Sequence, residues 1–132
     1  MPKGPVPERL HDLLEGTSLG HLATVDERGR PQVNPVWFLW KNDQLLIGVK
    51  GDTGKLRNLR RNPWLSLSIL DPGNPFRYLE LRGEVVAFDE YRDLSFVNRL
   101  SRKYRGEDFD PSEHGKERYR LTVRIDSWTS QS

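Results

Sequence analysis

The chain has 132 residues, 35% of them hydrophobic, which suits one modest core and is too short for two domains. It has no cysteine, which excludes disulfides and thiolate metal sites, and its three histidines, His11, His21 and His114, lack zinc-ligand spacing, so no metal is expected. The net charge of +2 hides an uneven placement: Lys55, Arg57, Arg60 and Arg61 fall together with no acid among them, which favours a local anionic ligand over a nucleic-acid surface.

In chain order, the opening M-P-K-G-P-V-P has no apolar run behind it, and no stretch approaches membrane-spanning length, so a soluble cytoplasmic protein with no membrane partner is expected. Pro5 and Pro7 lead into a helix over about residues 7–15, with Leu10, Leu13 and Leu14 on one face and Gly16 at its stop. Leu19 to Val25 and Pro31 to Trp40 read as two strands of a hairpin around D-E-R-G. Lys41, Asn42 and Asp43 form the next turn, and Gln44 to Val49 is a third strand. A short basic helix follows and ends before Pro63.

Trp64 to Leu70 alternates, with Leu65, Leu67 and Ile69 on one face, and D-P-G-N-P then breaks the chain before a fifth strand from Phe76 to Phe88, in which Gly83 marks a bulge or bend. Leu94, Val97, Leu100 and Tyr104 give Glu90 to Tyr104 the spacing of the longest helix. A polar loop, Arg105 to Lys116 with Pro111, precedes the last strand, Tyr119 to Ile125. The expected fold is mainly β: one domain over residues 1–132, a six-stranded antiparallel barrel whose closure removes sheet edges, with the basic helix after the third strand and the longer helix before the last.

The stretch G-D-T-G-K-L-R-N-L-R-R-N-P, Gly51 to Pro63, carries the densest chemistry. Asp52 or Thr53 can cap its helix, Leu56 and Leu59 form one apolar stripe, and Lys55 lies in the first turn, where a cation is unfavourable against the helix dipole. An anion bound by backbone N–H groups near Gly54, the Thr53 hydroxyl and Lys55 would relieve that conflict, with Arg57, Arg60 and Arg61 nearby. A solvated basic face on a connecting helix fits the composition as well. Pro35 lacks an N–H, so its neighbourhood is an edge, a bulge or a place where a ligand approaches the backbone.

Three segments taken together, P-Q-V-N-P-V-W-F (Pro31 to Phe38), T-G-K-L-R-N-L-R-R-N-P (Thr53 to Pro63) and L-D-P-G-N-P-F-R-Y-L-E-L-R-G (Leu70 to Gly83), resemble the flavin-binding split-barrel family related to pyridoxamine-phosphate oxidase. Within that family the chain is most similar to the small reductases that use the deazaflavin coenzyme F420. The resemblance implies a homodimer with two cofactor sites at the subunit interface. It assigns the cofactor phosphate to Thr53, Gly54 and Lys55, with Asn58 in the same network, and the tricyclic ring to Val33, Asn34, Pro35, Val36 and Trp37, backed by Val49, Lys50 and Gly51. It further implies that Asn74, Phe76, Arg77 and Tyr78 reach the cofactor, from the same or the other subunit.

The implied activity is hydride transfer from reduced F420 to an unsaturated or conjugated small molecule of quinone, enone or tetrapyrrole type, with FMN as the alternative cofactor. No Ser, His and carboxylate constellation is visible, and Tyr78 is a candidate proton donor with solvent as the alternative. A non-catalytic cofactor-binding barrel is the alternative outside enzymology, and a nucleic-acid module is disfavoured because the cations cluster instead of following a groove.

Overall fold

A computed structural model describes residues 2–110 and 117–131. Seven strands form one antiparallel sheet: β1 (Gly20–Val25), β2 (Pro31–Val36), β3 (Phe38–Lys41), β4 (Gln44–Lys50), β5 (Trp64–Leu70), β6 (Tyr78–Tyr91) and β7 (Arg118–Gln131). Their order is β2-β1-β5-β6-β7-β4-β3. Two corrections to the expected fold share one cause. The segment from Pro31 to Trp40 is two strands and not one, because β2 leaves the β1 ladder at Val36 and β3 joins β4 from Phe38, with Trp37 alone between them. The count therefore rises from six to seven, and the ladder stays open instead of closing.

Since the two edge strands are consecutive in sequence, the sheet curls until its edges converge at Trp37, where the carbonyl accepts from the Gly48 N–H at 3.4 Å. Pro31 and Pro35 both lie on the β2 edge, where a missing N–H costs no ladder bond.

The turns follow their residues. Asn42 and Asp43 have φ of 53° and 61°, the left-handed pair that a two-residue hairpin needs between β3 and β4. Asp26 closes the first hairpin by accepting from the N–H groups of Arg28 and Arg30, both at 2.9 Å. At Gly83 the β6–β7 register shifts, and an added Cβ would collide with the Arg124 carbonyl, so this glycine marks the bulge.

Alternation drives Leu22, Leu45, Ile47, Leu67, Ile69, Leu79, Leu81 and Leu121 into the interior, where all are fully or almost fully buried. A 3-10 turn (Glu8–Leu10) and α1 (His11–Glu15) bring Leu10, Leu13 and Leu14 onto this core, and α2 (Gly54–Arg61) adds Leu56 and Leu59. Full burial of a leucine stabilises by about 1.5–3 kcal/mol, which is how so short a helix as α2 is held in place.

The longer helix, α3 (Ser95–Arg105), begins later than the expected Glu90. Glu90 and Tyr91 extend β6 against Tyr119 and Arg118, and Asp93 then accepts from the Ser95 N–H at 2.9 Å and its hydroxyl at 2.6 Å. The helix ends at Gly106, whose φ of 75° suits a left-handed stop. The last strand outruns the expected Tyr119 to Ile125, because pairing with Tyr78 to Arg82 recruits the polar residues after Ile125. Of the expected loop, residues 111–116, including Pro111 and His114, lie outside the described residues.

Candidate functional site

The β4 strand delivers the chain through the Gly51 turn into α2, and the turn is shaped by backbone contacts. Gly51 donates its N–H to the Glu117 carbonyl at 2.9 Å, and a Cβ there would lie 2.9 Å from the Glu117 Cβ. Thr53 occupies the N-cap position in extended conformation, yet its hydroxyl donates back to the Lys50 carbonyl at 2.9 Å. Asp52 instead pairs with Arg57 at 3.2 Å, so neither residue supplies the expected side-chain cap. The α2 N-terminus is thereby left without a capping side chain and with Lys55 in its first turn.

The basic residues of α2 diverge from one another. Arg57 is on Asp52, the Arg60 guanidinium lies 5.1 Å from the centroids of both the Phe88 and Tyr119 rings, and Arg61 donates to the Asn58 side-chain oxygen at 3.1 Å. Lys55 alone of the four lines a cavity of about 420 Å³, where it is joined by Lys50 and Arg118. These two pair directly across β4 and β7. Burial lowers the Lys55 pKa, and the neighbouring Lys50 charge lowers it further. No carboxylate is among the described residues that line this cavity.

The remainder of the lining is largely apolar. Pro35, Val36 and Trp37, at the point where the sheet edges meet, line it together with Gly48 and Val49 of β4, Val97 and Leu100 of α3, and Leu19, Tyr91 and Phe109. Gly48 has a steric reason to be glycine, since a Cβ there would sit 2.7 Å from the Leu100 Cδ1 and 3.5 Å from Phe96.

Trp37 is clamped from behind. Tyr104 stacks on it with centroids 5.5 Å apart and planes 11° apart, and the Tyr104 hydroxyl meets both the N–H and the carbonyl of Phe38 at 3.3 Å. Lys103 donates to the carbonyls of Leu14 and Phe38 at 2.8 and 3.0 Å, and burial pulls its pKa down to about 8 against the opposing charge of Glu15.

Seven of the residues expected at the site meet in this cavity: Pro35, Val36, Trp37, Val49, Lys50, Thr53 and Lys55. Gly51 lines a smaller adjoining cavity of about 350 Å³ with Lys50, Asp52 and Glu117. Gly54 faces the Gln32 amide, and Asn34 accepts from that amide at 2.7 Å. Asn58 is buried, donating to Thr24 at 3.0 Å and Gln32 at 3.2 Å, so it ties α2 to β1 and β2. Val33 faces outward from the β2 edge, 59% exposed.

The N-P-F-R-Y loop is not brought to the cavity within one chain. Arg77 makes two 2.8 Å bonds to Asp12 and one of 2.9 Å to Asp71, which anchors α1 to the turn after β5. The Asn74 side chain accepts from the Phe76 N–H at 3.0 Å, Phe76 is 72% exposed, and Tyr78 pairs with Gln131. Sequence reasoning missed Leu19, Gly48, Tyr91, Val97, Leu100, Phe109 and Arg118. Only Gly48 carried a signal, as a glycine interrupting the run Q-L-L-I-G-V-K.

Comparison with known proteins supplies the remaining facts. The profile of the family described as pyridoxamine 5'-phosphate oxidase matches residues 6–131. A solved structure described as an F420 reductase is 38% identical, with a TM-score of 0.83, over 94% of this chain and 98% of that one. A conserved hypothetical protein from Mycobacterium tuberculosis shares the fold at 18% identity and a TM-score of 0.74, over 98% and 86% of the two chains. General Stress Protein 26 from Bacillus anthracis shares it at 16% identity and 0.66, over 94% and 92%.

Proposed function

We propose, since the chain belongs to the pyridoxamine 5'-phosphate oxidase family, that it is an oxidoreductase using reduced coenzyme F420 to reduce an unsaturated or conjugated small molecule. The observation that carries this reading is the composition of one groove: an apolar body of tricyclic-ring size ending in Lys50, Lys55 and Arg118 with no lining carboxylate among the described residues. That donor set suits a planar aromatic molecule with an anionic end. The 38% identity to a protein described as an F420 reductase favours the deazaflavin over FMN.

When bound, the reduced coenzyme supplies a hydride. The residues of the chain bind, orient and exclude water. Lys55, the Thr53 turn and the uncapped start of α2 hold the phosphate, with Lys50 adding charge. Pro35, Val36 and Trp37 would hold the ring, and Tyr104 stacked on Trp37 keeps that side of the groove from yielding. Gly48 lets α3 close against β4, so Val97 and Leu100 shield the ring from water. Tyr78 does not line this groove within one chain, so as a proton donor it would come from a second subunit, with solvent as the alternative.

A homodimer completes the proposal. The exposed β2 edge presents Val33 and Pro35 beside Ala23 and His21 of β1, and the N-P-F-R-Y loop carries an exposed Phe76. A second copy on this face would cover the apolar surface and bring Asn74, Phe76 and Tyr78 toward its partner's groove. Titration of the purified protein with F420, followed by its fluorescence, tests the reading. Saturable binding that Lys55→Ala weakens supports it, and a normally folded protein with no affinity refutes it.

A further inference from the structure

A line of side-chain amides runs from α2 to β2. Arg61 donates to the Asn58 Oδ1 at 3.1 Å, and the Asn58 Nδ2 donates to the Thr24 hydroxyl at 3.0 Å and to the Gln32 Oε1 at 3.2 Å. The Gln32 Nε2 donates in turn to the Asn34 Oδ1 at 2.7 Å. The direction of this line is fixed where it begins. A guanidinium has only donors, so Asn58 turns its oxygen to Arg61 and its amine to Gln32, which then offers its own amine to Asn34. Asn34 is left with its oxygen engaged and its Nδ2 over. Among the described residues that amine has no partner, and it is not sealed from solvent.

The place of Asn34 follows from alternation along β2, which puts Gln32, Asn34 and Val36 on one face. Gln32 lies against Gly54, where a Cβ would sit 3.2 Å from its Oε1, and the neighbours of Gly54, Thr53 and Lys55, line the groove. Val36 lines it as well. Asn34 therefore stands between the Thr53 to Lys55 turn and the apolar residues of the groove.

We propose that Gln32 is a positioning residue of this groove: it holds Asn34 so that an N–H, and not an oxygen, faces the bound cofactor, which selects an oxygen acceptor at that point. The role rests on the cofactor reading and adds to it the hydrogen-bonding sense of one stretch of the site. An unheld amide would rotate between donor and acceptor, and fixing it beforehand lowers the cost of binding. A phosphate oxygen and a ring or polyol oxygen share the required chemistry.

The probes are F420 and its phosphate-free deazaflavin core, each titrated by fluorescence. Asn34→Ala should weaken binding roughly three- to tenfold, the effect of one lost hydrogen bond. Loss for F420 alone assigns the acceptor to the phosphate, and loss for both probes assigns it to the ring or polyol. Gln32→Met should weaken binding in the wild-type background and add nothing in the Asn34→Ala background, because it acts through Asn34. A residue that merely supports Gly54 would give the same loss in both backgrounds. Thermal melts establish folding, and leucine at either position serves where alanine or methionine is not tolerated. Unchanged affinity of Asn34→Ala for both probes refutes the proposal, and additive losses refute the role of Gln32. Wild-type protein that binds neither probe refutes the cofactor reading, and this role with it.

Discussion

Replacing Lys55 with alanine separates a binding role from a structural one. Its ammonium sits half-buried at the first turn of an uncapped helix, beside Lys50, and both burial and that like charge lower its pKa. Three terms therefore act against the charged form in the free protein: lost hydration, repulsion from Lys50 and the positive end of the α2 dipole. An anion at this turn reverses the second and third. A charge-assisted contact of this kind contributes about 1.5–3 kcal/mol, so Lys55→Ala should raise the dissociation constant for F420 roughly ten- to hundredfold.

The same substitution should leave stability unchanged or raise it by a few tenths of a kcal/mol, since the dipole and repulsion terms both disappear. Fluorescence titration and a denaturant melt on one variant provide both values. Unchanged affinity in a normally folded protein would refute the phosphate role, and would return the Gly51 to Pro63 element to a connecting helix with a basic face. A large loss of stability would refute the electrostatic reasoning independently.

Other predictions follow from single contacts. Gly83→Ala should destabilise by about 1–3 kcal/mol in a thermal or urea melt, because its Cβ meets backbone at the β6–β7 bulge; a neutral outcome would mean that the bulge can shift. Gly48→Ala should weaken F420 binding more than it weakens folding, because the side-chain end of Leu100 can yield but in doing so moves into the groove it lines; equal affinity would remove α3 from the site. The folded-state pKa of Lys103, about 8, lies below its ordinary 10.5, so the unfolded chain binds more protons between those values. Stability should accordingly rise with pH from about 8 and turn over near pH 10, where Tyr104, held protonated by burial, begins to favour the unfolded state. Lys103→Met should abolish the rise, and a flat profile in wild type would contradict the burial of this lysine. Sedimentation at micromolar concentration should show a dimer; monomer throughout would count against the apolar β2 edge as an interface.

The strands that alternate cleanly were legible in the sequence. Trp64 to Leu70, the Asn42 and Asp43 turn and the Gly83 bulge all rest on local chemistry, and each falls where that chemistry points. Trp37 was not legible as a break, because V-W-F-L-W reads as one continuous apolar strand and only the partners of its two halves, β1 and β4, differ. The second half of β7 is set by its neighbour and not by its own residues.

The site divides along the same line. The Thr53 to Lys55 turn and the Pro35 to Trp37 wall belong to contiguous motifs, whereas Arg118 becomes a site residue only through its cross-strand pairing with Lys50. Arg57, Arg60 and Arg61 share one side of α2 by their i, i+3 and i+4 spacing, yet their long side chains reach different partners: Asp52, two aromatic rings and Asn58. Arg77 shows that a motif position can serve the fold, since its guanidinium ties α1 to the turn after β5.

The most direct test of the account is a parallel titration of the purified protein with coenzyme F420 and FMN under one buffer and salt condition. The groove, with its apolar body and its three cations, predicts F420 bound at least about tenfold more tightly, a difference of about 1.4 kcal/mol. Equal affinities, or FMN retained through purification, would contradict it.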